Sequence, residues 1–411
     1  MPRTAPQTST AGTRRPIRDR SAVWAVFAVL AAFLISPASF AQIGGLDPET
    51  PRSVTLSGTQ LDELDQFIDL YADNAFGDDR AQAARALDEL IDPLIGEGVS
   101  VAFRQAMADR LTDHIDAALT DQPLMLEDGE GQKSINHKPY HAMRLASEIA
   151  TNTTLQRIVD QLASEDEGRA YFAVHGIETV FYRMRTSAPA VSANTLLTTR
   201  QGAAPRGLIP DLGTLMVKTE SGRRAAAIVR ALAEAAELPR DEVPGVADEA
   251  LRLIADSAAA RVRASADRTP TLEDRLSWLT AGQRIVRVIA QPGAANAPTS
   301  LAAIRLGGQL IAAVYRDLET ERAENDPQLA KIDDQMLGLA ENLLLFGEQN
   351  AAAATGRRPN NQLNTAADRI QDLLASGDES GFNRAALGLI SPNGILTDAP
   401  YGFTDDEFIV E

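Results

Sequence analysis

Apolar residues recur every three to four positions along most of the chain, which is the period of an amphipathic α-helix. In the first half of the chain the pattern covers residues 61–71, 83–91, 103–119, 153–162 and 167–184. No stretch of alternating apolar and polar residues competes with it. The sequence therefore predicts an all-α protein.

The second half of the chain repeats one arrangement, a proline at the head of an amphipathic segment. Pro244, Pro270, Pro298 and Pro327 hold this position, where the missing N–H of proline costs no hydrogen bond. The spacing allows helices of about 20 residues joined by short turns, so neighbours run antiparallel. We expect antiparallel helical bundles or a helical-repeat-like array, with the almost wholly apolar segment 300–318 as its central helix.

Composition suggests how the chain is divided. Residues 187–217 are rich in Ser, Thr, Gly and Pro, and we interpret them as a connection between two helical domains, 42–186 and 218–376. Their prolines and glycines are expected to break any helix of useful length. The alternative is a long loop packed over one domain, since residues 208–216 include several apolar side chains. Residues 377–411 form an acidic, aromatic tail that docks on the body, is disordered or acts as a recognition peptide.

The first 41 residues have the pattern of an export signal. An arginine-rich start (residues 14–20) precedes the apolar run 22–35, and the small residues Ser39 and Ala41 follow. The run is shorter than the ~20 apolar residues of a membrane span. We expect cleavage between Ala41 and Gln42 and a periplasmic or secreted protein. An uncleaved anchor is the alternative, and the arginines also resemble a twin-arginine signal.

Charge and cysteine content exclude several classes of partner and anchor. The chain has a formal net charge of −18, and because residues 1–41 are basic, the remainder is more acidic still. Such a surface repels nucleic acid and anionic lipid, so we expect neither nucleic acid nor an anionic membrane surface as a partner. With no cysteine, the chain has no disulfide and no lipoprotein anchor. No cofactor is indicated.

Histidine supplies the only candidate chemistry. His175 and Glu178 are three residues apart in a predicted helix and so share a face. They are candidate metal ligands, with His141 as a third. Pro139 is expected to leave His137 ahead of the helix and off the face of His141. The alternative is structural: His175 hydrogen-bonds Glu178 or a backbone carbonyl in a packed groove.

Residues 173–178, Ala-Val-His-Gly-Ile-Glu, resemble part of the Gly-x-His-x-x-Glu motif of imelysin-like proteins. The resemblance implies an exported, all-helical protein built from bundles. Ala173 stands where that family has glycine, and the rest of the chain does not match, so we assign no family from it. The His-Glu-x-x-His and Gly-x-Ser-x-Gly motifs and a phosphate-binding glycine loop are absent from the sequence.

Two functions from different classes fit these observations. The first is an exported, non-enzymatic helical scaffold or binding protein of the cell envelope, whose grooves take a protein or a cell-wall component. The second is an exported metal-binding protein or metal-dependent hydrolase that uses His175 and Glu178. We favour the first, because imidazole chemistry usually requires a tighter cluster of residues than this.

Processing of the export signal is directly testable. Mass spectrometry of the exported protein should find an N-terminus at or near Gln42, because the small residues before it match the pattern of signal cleavage. Recovery of the full-length chain from the membrane fraction would instead support the anchor.

Overall fold

Helices dominate the computed structural model, which describes residues 45–120, 125–127, 133–187, 190–192, 195–196, 207–320 and 327–408. The described residues form fourteen α-helices. The predicted all-α fold is confirmed. The predicted signal segment, residues 1–41, lies outside the described residues.

The first half of the described chain contains six helices and one short hairpin. The helices are α1 Gly58–Ala75, α2 Arg80–Ile95, α3 Val101–Thr120, α4 His137–Ile149, α5 Asn152–Asp160 and α6 Glu167–Thr186. Strands β1 Met125–Glu127 and β2 Lys133–Ile135 pair antiparallel, with Leu126 opposite Ser134. Short 3-10 turns occupy Thr50–Arg52 and Gln161–Ala163.

The second half contains eight helices. They are α7 Leu208–Lys218, α8 Gly222–Ala236, α9 Val246–Ala264, α10 Leu272–Ile289, α11 Ala297–Glu319, α12 Pro327–Thr355, α13 Asn361–Ala375 and α14 Glu379–Ile390. The prolines at 244, 270, 298 and 327 lie within two residues of the starts of α9 to α12, as their positions predict.

Helix α11 is the central helix, as its apolar composition predicts. It packs against both α9 and α12. Its length and composition would suit a membrane span, but 78% of its most apolar window is buried inside the fold. The apolar side chains of α11 are therefore part of the protein core.

Residues 377–408, the described part of the acidic, aromatic tail, pack against the other helices. Three of its aromatic side chains are buried: Tyr401, Phe403 and Phe408. Gly308 of α11 makes room for this contact, since a Cβ there would lie 2.5 Å from a ring carbon of Phe408. The Tyr401 hydroxyl donates a hydrogen bond of 2.7 Å to the buried Glu348 carboxylate. These buried side chains therefore join the tail to the protein core.

Part of the predicted connection is helical, which corrects the expectation that its prolines and glycines exclude a helix. Pro210 lies in the first turn of α7, where its missing N–H has no intrahelical partner to lose. Gly213 allows close packing on α9, since a Cβ there would lie 2.9 Å from a methyl carbon of Leu253. Several side chains of α7 are buried: Leu208, Ile209, Leu212 and Met216. Helix α7 therefore packs against α8 and α9.

Helices from both predicted domains are in contact. Contacts group residues Leu46–Glu411 into one compact unit. Within it, α6 from the first half packs on α8 from the second. Whether 42–186 and 218–376 fold as separate domains stays a prediction.

A buried charged cluster joins α10, α11 and α12. The Arg275 Nη1 atom lies 2.5 Å from Asp317 Oδ2 and 3.1 Å from Asp333 Oδ1, and all three side chains are at most 4% exposed. One guanidinium thus faces two carboxylates. Burial, together with the charge of Asp317, raises the pKa of Asp333 to about 7.

This cluster predicts a pH dependence of stability. The folded protein binds the Asp333 proton more tightly than the unfolded chain, so stability falls as pH rises from about 4 to about 7. Asp333→Asn keeps the shape without the charge and should flatten the melting temperature over that range. Asp334→Asn, at the neighbouring exposed position, is the control. The prediction is contradicted if the melting temperature of the wild type does not fall between about pH 4 and pH 7. It is also contradicted if the melting temperature of Asp333→Asn falls by the same amount.

Candidate functional site

A groove of about 480 Å³ lies between α4 and α6 and contains the candidate residue His175. Residues spaced four apart share one helix face. Tyr140, Arg144 and Glu148 line the groove from α4, and His175 and its neighbours line it from α6. Helical periodicity therefore explains why these side chains face one another.

Gly176 sets the close spacing of the helices beneath the groove. A Cβ at this position would lie 3.2 Å from the Ile158 Cγ2 of α5 and 3.6 Å from the Ser147 Cβ of α4. A larger residue would press these helices apart. The glycine beside His175 is thus explained by packing.

Aromatic side chains from both helices line the groove. Tyr140 meets Phe172 edge to face with ring centres 5.0 Å apart, and Tyr171 meets His175 in the same way at 4.7 Å. Phe172 and Tyr171 are also in edge contact, at 5.8 Å. Edge-to-face packing fixes the ring positions and contributes about 0.5–1.5 kcal/mol per pair beyond area burial.

His175 has both ring nitrogens engaged. Its Nδ1 lies 3.0 Å from Glu178 Oε2, and its Nε2 lies 3.2 Å from Arg230 Nη2. Because a guanidinium only donates, Nε2 accepts from Arg230, and Nδ1 carries the proton that is donated to Glu178. The imidazole is therefore neutral and held between a cation and an anion.

The Glu178 carboxylate is stabilised in its charged form. Burial alone would raise its pKa, but the hydrogen bond from His175 and the charge of Arg230 outweigh this effect. The net result is a pKa below the usual value of 4.5. Arg230 Nε lies 3.5 Å from Glu178 Oε1, so the three side chains form one network.

His141 does not join His175. Its Nδ1 atom lies 2.8 Å from the Ala75 carbonyl oxygen at the end of α1. His137 makes the equivalent contact with the Gly77 carbonyl, from Nε2, also at 2.8 Å. Both imidazoles thus satisfy carbonyl groups at and just beyond the C-terminal end of α1. Burial lowers the pKa of His141, which favours its neutral form.

The expectation that His137 precedes the helix is wrong. Helix α4 begins at His137, and the rings of His137 and His141 lie edge to face with centres 5.1 Å apart. Pro139 falls in the first turn, where proline is tolerated, and the Asn136 side chain caps the helix. The proline therefore marks the start of the helix without separating the two histidines.

The structure brings together two of the three candidate metal ligands, His175 and Glu178. Among the residues that the structure describes, no group of three or more His, Asp or Glu side chains could hold a metal ion. Arg230 lies on α8, 55 positions from His175, and is not among the candidate residues that the sequence indicates. No spacing rule connects residues so far apart in the chain.

Two further ion pairs border the groove. Arg144 Nη2 lies 3.0 Å from Asp88 Oδ1, and Arg183 Nε lies 2.5 Å from Glu148 Oε2. The Arg183 and Glu148 side chains are 15% and 13% exposed, so water screens this pair only in part. These pairs connect α4 to α2 and to α6.

Comparisons with protein-family models, with curated proteins and with solved structures find no match to this chain.

The network around His175 predicts the outcome of a metal-binding test. His175→Ala and Glu178→Ala should each lower the free energy of unfolding by about 1 kcal/mol, because each breaks a partly buried hydrogen bond. Elemental analysis of the wild-type protein should find no stoichiometric metal, since Arg230 occupies the Nε2 lone pair. A stoichiometric metal that both variants lose would instead support the metal-binding hypothesis.

Proposed function

We propose that this protein is an exported, non-enzymatic helical binding protein of the cell envelope, and that the groove between α4 and α6 is its ligand site. The observation that carries the proposal is the combination of an aromatic wall with a volume of about 480 Å³. Ligand sites in proteins are typically concave, lined by aromatic and apolar groups, and roughly 300–1,000 Å³ in size.

The state of His175 favours binding over catalysis. A general base needs a free lone pair within reach of the proton that it removes. The only His175 lone pair accepts a hydrogen bond from Arg230, and the Nδ1 proton is donated to Glu178. The imidazole therefore serves to hold α6 and α8 in place beside the groove.

We infer the envelope location and the class of partner from the sequence. The N-terminal 41 residues have the export pattern, and the acidic remainder disfavours anionic partners. A protein or a cell-wall component is then the expected class of partner. The groove side chains stand on helices, which hold a site in place better than loops do.

Saturation-transfer NMR tests this proposal. The mature chain, residues 42–411, is mixed with soluble cell-envelope fragments and with simple neutral, cationic and anionic compounds. We expect at least one binder that weakens about tenfold or more in Phe172→Ala, because the ring forms the centre of the aromatic wall. Tyr171→Ala is a second groove variant, and circular dichroism checks that both remain helical.

A matched control uses Tyr182, which is on the same helix, is 42% exposed and does not line the groove. Tyr182→Ala should leave binding unchanged. Binding that is equally strong in the groove variants, or chemical conversion of a bound compound over time, would contradict the proposal.

A further inference from the structure

The charges around the groove between α4 and α6 are balanced. Three guanidinium groups each have a carboxylate partner: Arg144 with Asp88, Arg183 with Glu148, and Arg230 with Glu178. An ionic ligand would have to break one of these pairs or enter without a counter-charge, and both cost desolvation energy. The groove therefore favours an uncharged ligand, although the chain as a whole is strongly acidic.

Two polar groups on the groove wall are available to a ligand. Among the described residues, no group hydrogen-bonds the hydroxyl of Tyr140 or that of Tyr171, and both side chains are half-buried. A phenol hydroxyl both donates and accepts, so these two groups can bind ligand hydroxyl or amide groups. They lie at either end of the row of edge contacts that runs from Tyr140 through Phe172 to Tyr171.

We propose that this groove binds the uncharged sugar rings of a glycan, an inference that rests on the proposed binding function. One face of a sugar ring carries C–H bonds whose weakly positive hydrogens are complementary to the negative face of an aromatic ring. The ring hydroxyls around that face supply partners for Tyr140 and Tyr171. An aromatic ligand without hydroxyl or amide groups would stack equally well but would leave these hydroxyls without partners.

The test uses three trisaccharides of similar size and different charge. N,N′,N″-triacetylchitotriose and cellotriose are uncharged, and chitotriose is cationic at pH 6. Isothermal titration of the mature protein in about 150 mM salt, which screens its long-range field, should detect an uncharged trisaccharide. Chitotriose should bind at least tenfold more weakly.

Variants locate the binding and separate its two components. Tyr140→Phe and Tyr171→Phe remove only a hydroxyl and should each weaken binding about fivefold. Phe172→Leu removes the ring and should weaken it about tenfold. Tyr182→Phe is the matched control and should change nothing.

Three outcomes would overturn the inference: neither uncharged trisaccharide binds, chitotriose binds more tightly than both, or the tyrosine variants bind as the wild type does. Failure of the inference is distinguishable from failure of the proposed function. If a different compound binds in the NMR screen and requires Phe172, the groove is a ligand site and only its assignment to sugars is wrong.

Discussion

The walls of the groove depend on one buried guanidinium, that of Arg104 in α3. Its side chain is 1% exposed. Nη1 donates to the carbonyls of Glu148 (2.5 Å) and Ile149 (3.2 Å), and Nη2 donates to the Leu94 carbonyl (3.0 Å) and the Ser187 hydroxyl (3.3 Å). A helix leaves its last four carbonyls without intrahelical partners, and burying them unpaired is costly. Arg104 satisfies the ends of α2 and α4 at once and ties them to the residue after α6.

The same solution recurs across the fold. Arg169 donates to the carbonyl of Leu119 in the last turn of α3, at 2.5 Å, and the buried Arg261 donates to carbonyls at the end of α7. Arginine suits this role because its planar group presents several donors in fixed directions, whereas lysine is a point charge. Burial lowers the pKa of Arg104 to about 10, so it remains charged at neutral pH. At several positions, therefore, arginine has a structural use that lysine would serve less well.

The sequence predicts the features that are determined by residues close together in the chain. The helical period gave the all-α fold, the prolines gave the starts of α9 to α12, and the three-residue spacing placed His175 beside Glu178. It does not predict contacts between segments that are far apart in the chain. Arg230 reaches His175 from α8, and the His141 ring is turned towards the end of α1. The prolines and glycines of residues 187–217 predict no helix, but Pro210 lies in the first turn of α7 and Gly213 allows the close approach of α9.

These contacts give a consistent physical account of the groove. Buried arginines fix the helix ends, Gly176 sets the spacing between helices, and ion pairs neutralise the charges that remain around the aromatic wall. His175 belongs to this framework, with its lone pair directed at Arg230 and its proton at Glu178. The imidazole thereby links α6 to α8 beside the groove.

The most direct test is the protonation state of that imidazole. The chain has four histidines, so ¹⁵N labelling of histidine gives a spectrum simple enough to assign by single substitutions. At neutral pH, the account predicts a proton on Nδ1 of His175, an unprotonated Nε2, and no change in either shift when Zn²⁺ is added. A proton on Nε2, or an Nε2 resonance that moves with Zn²⁺, would contradict it.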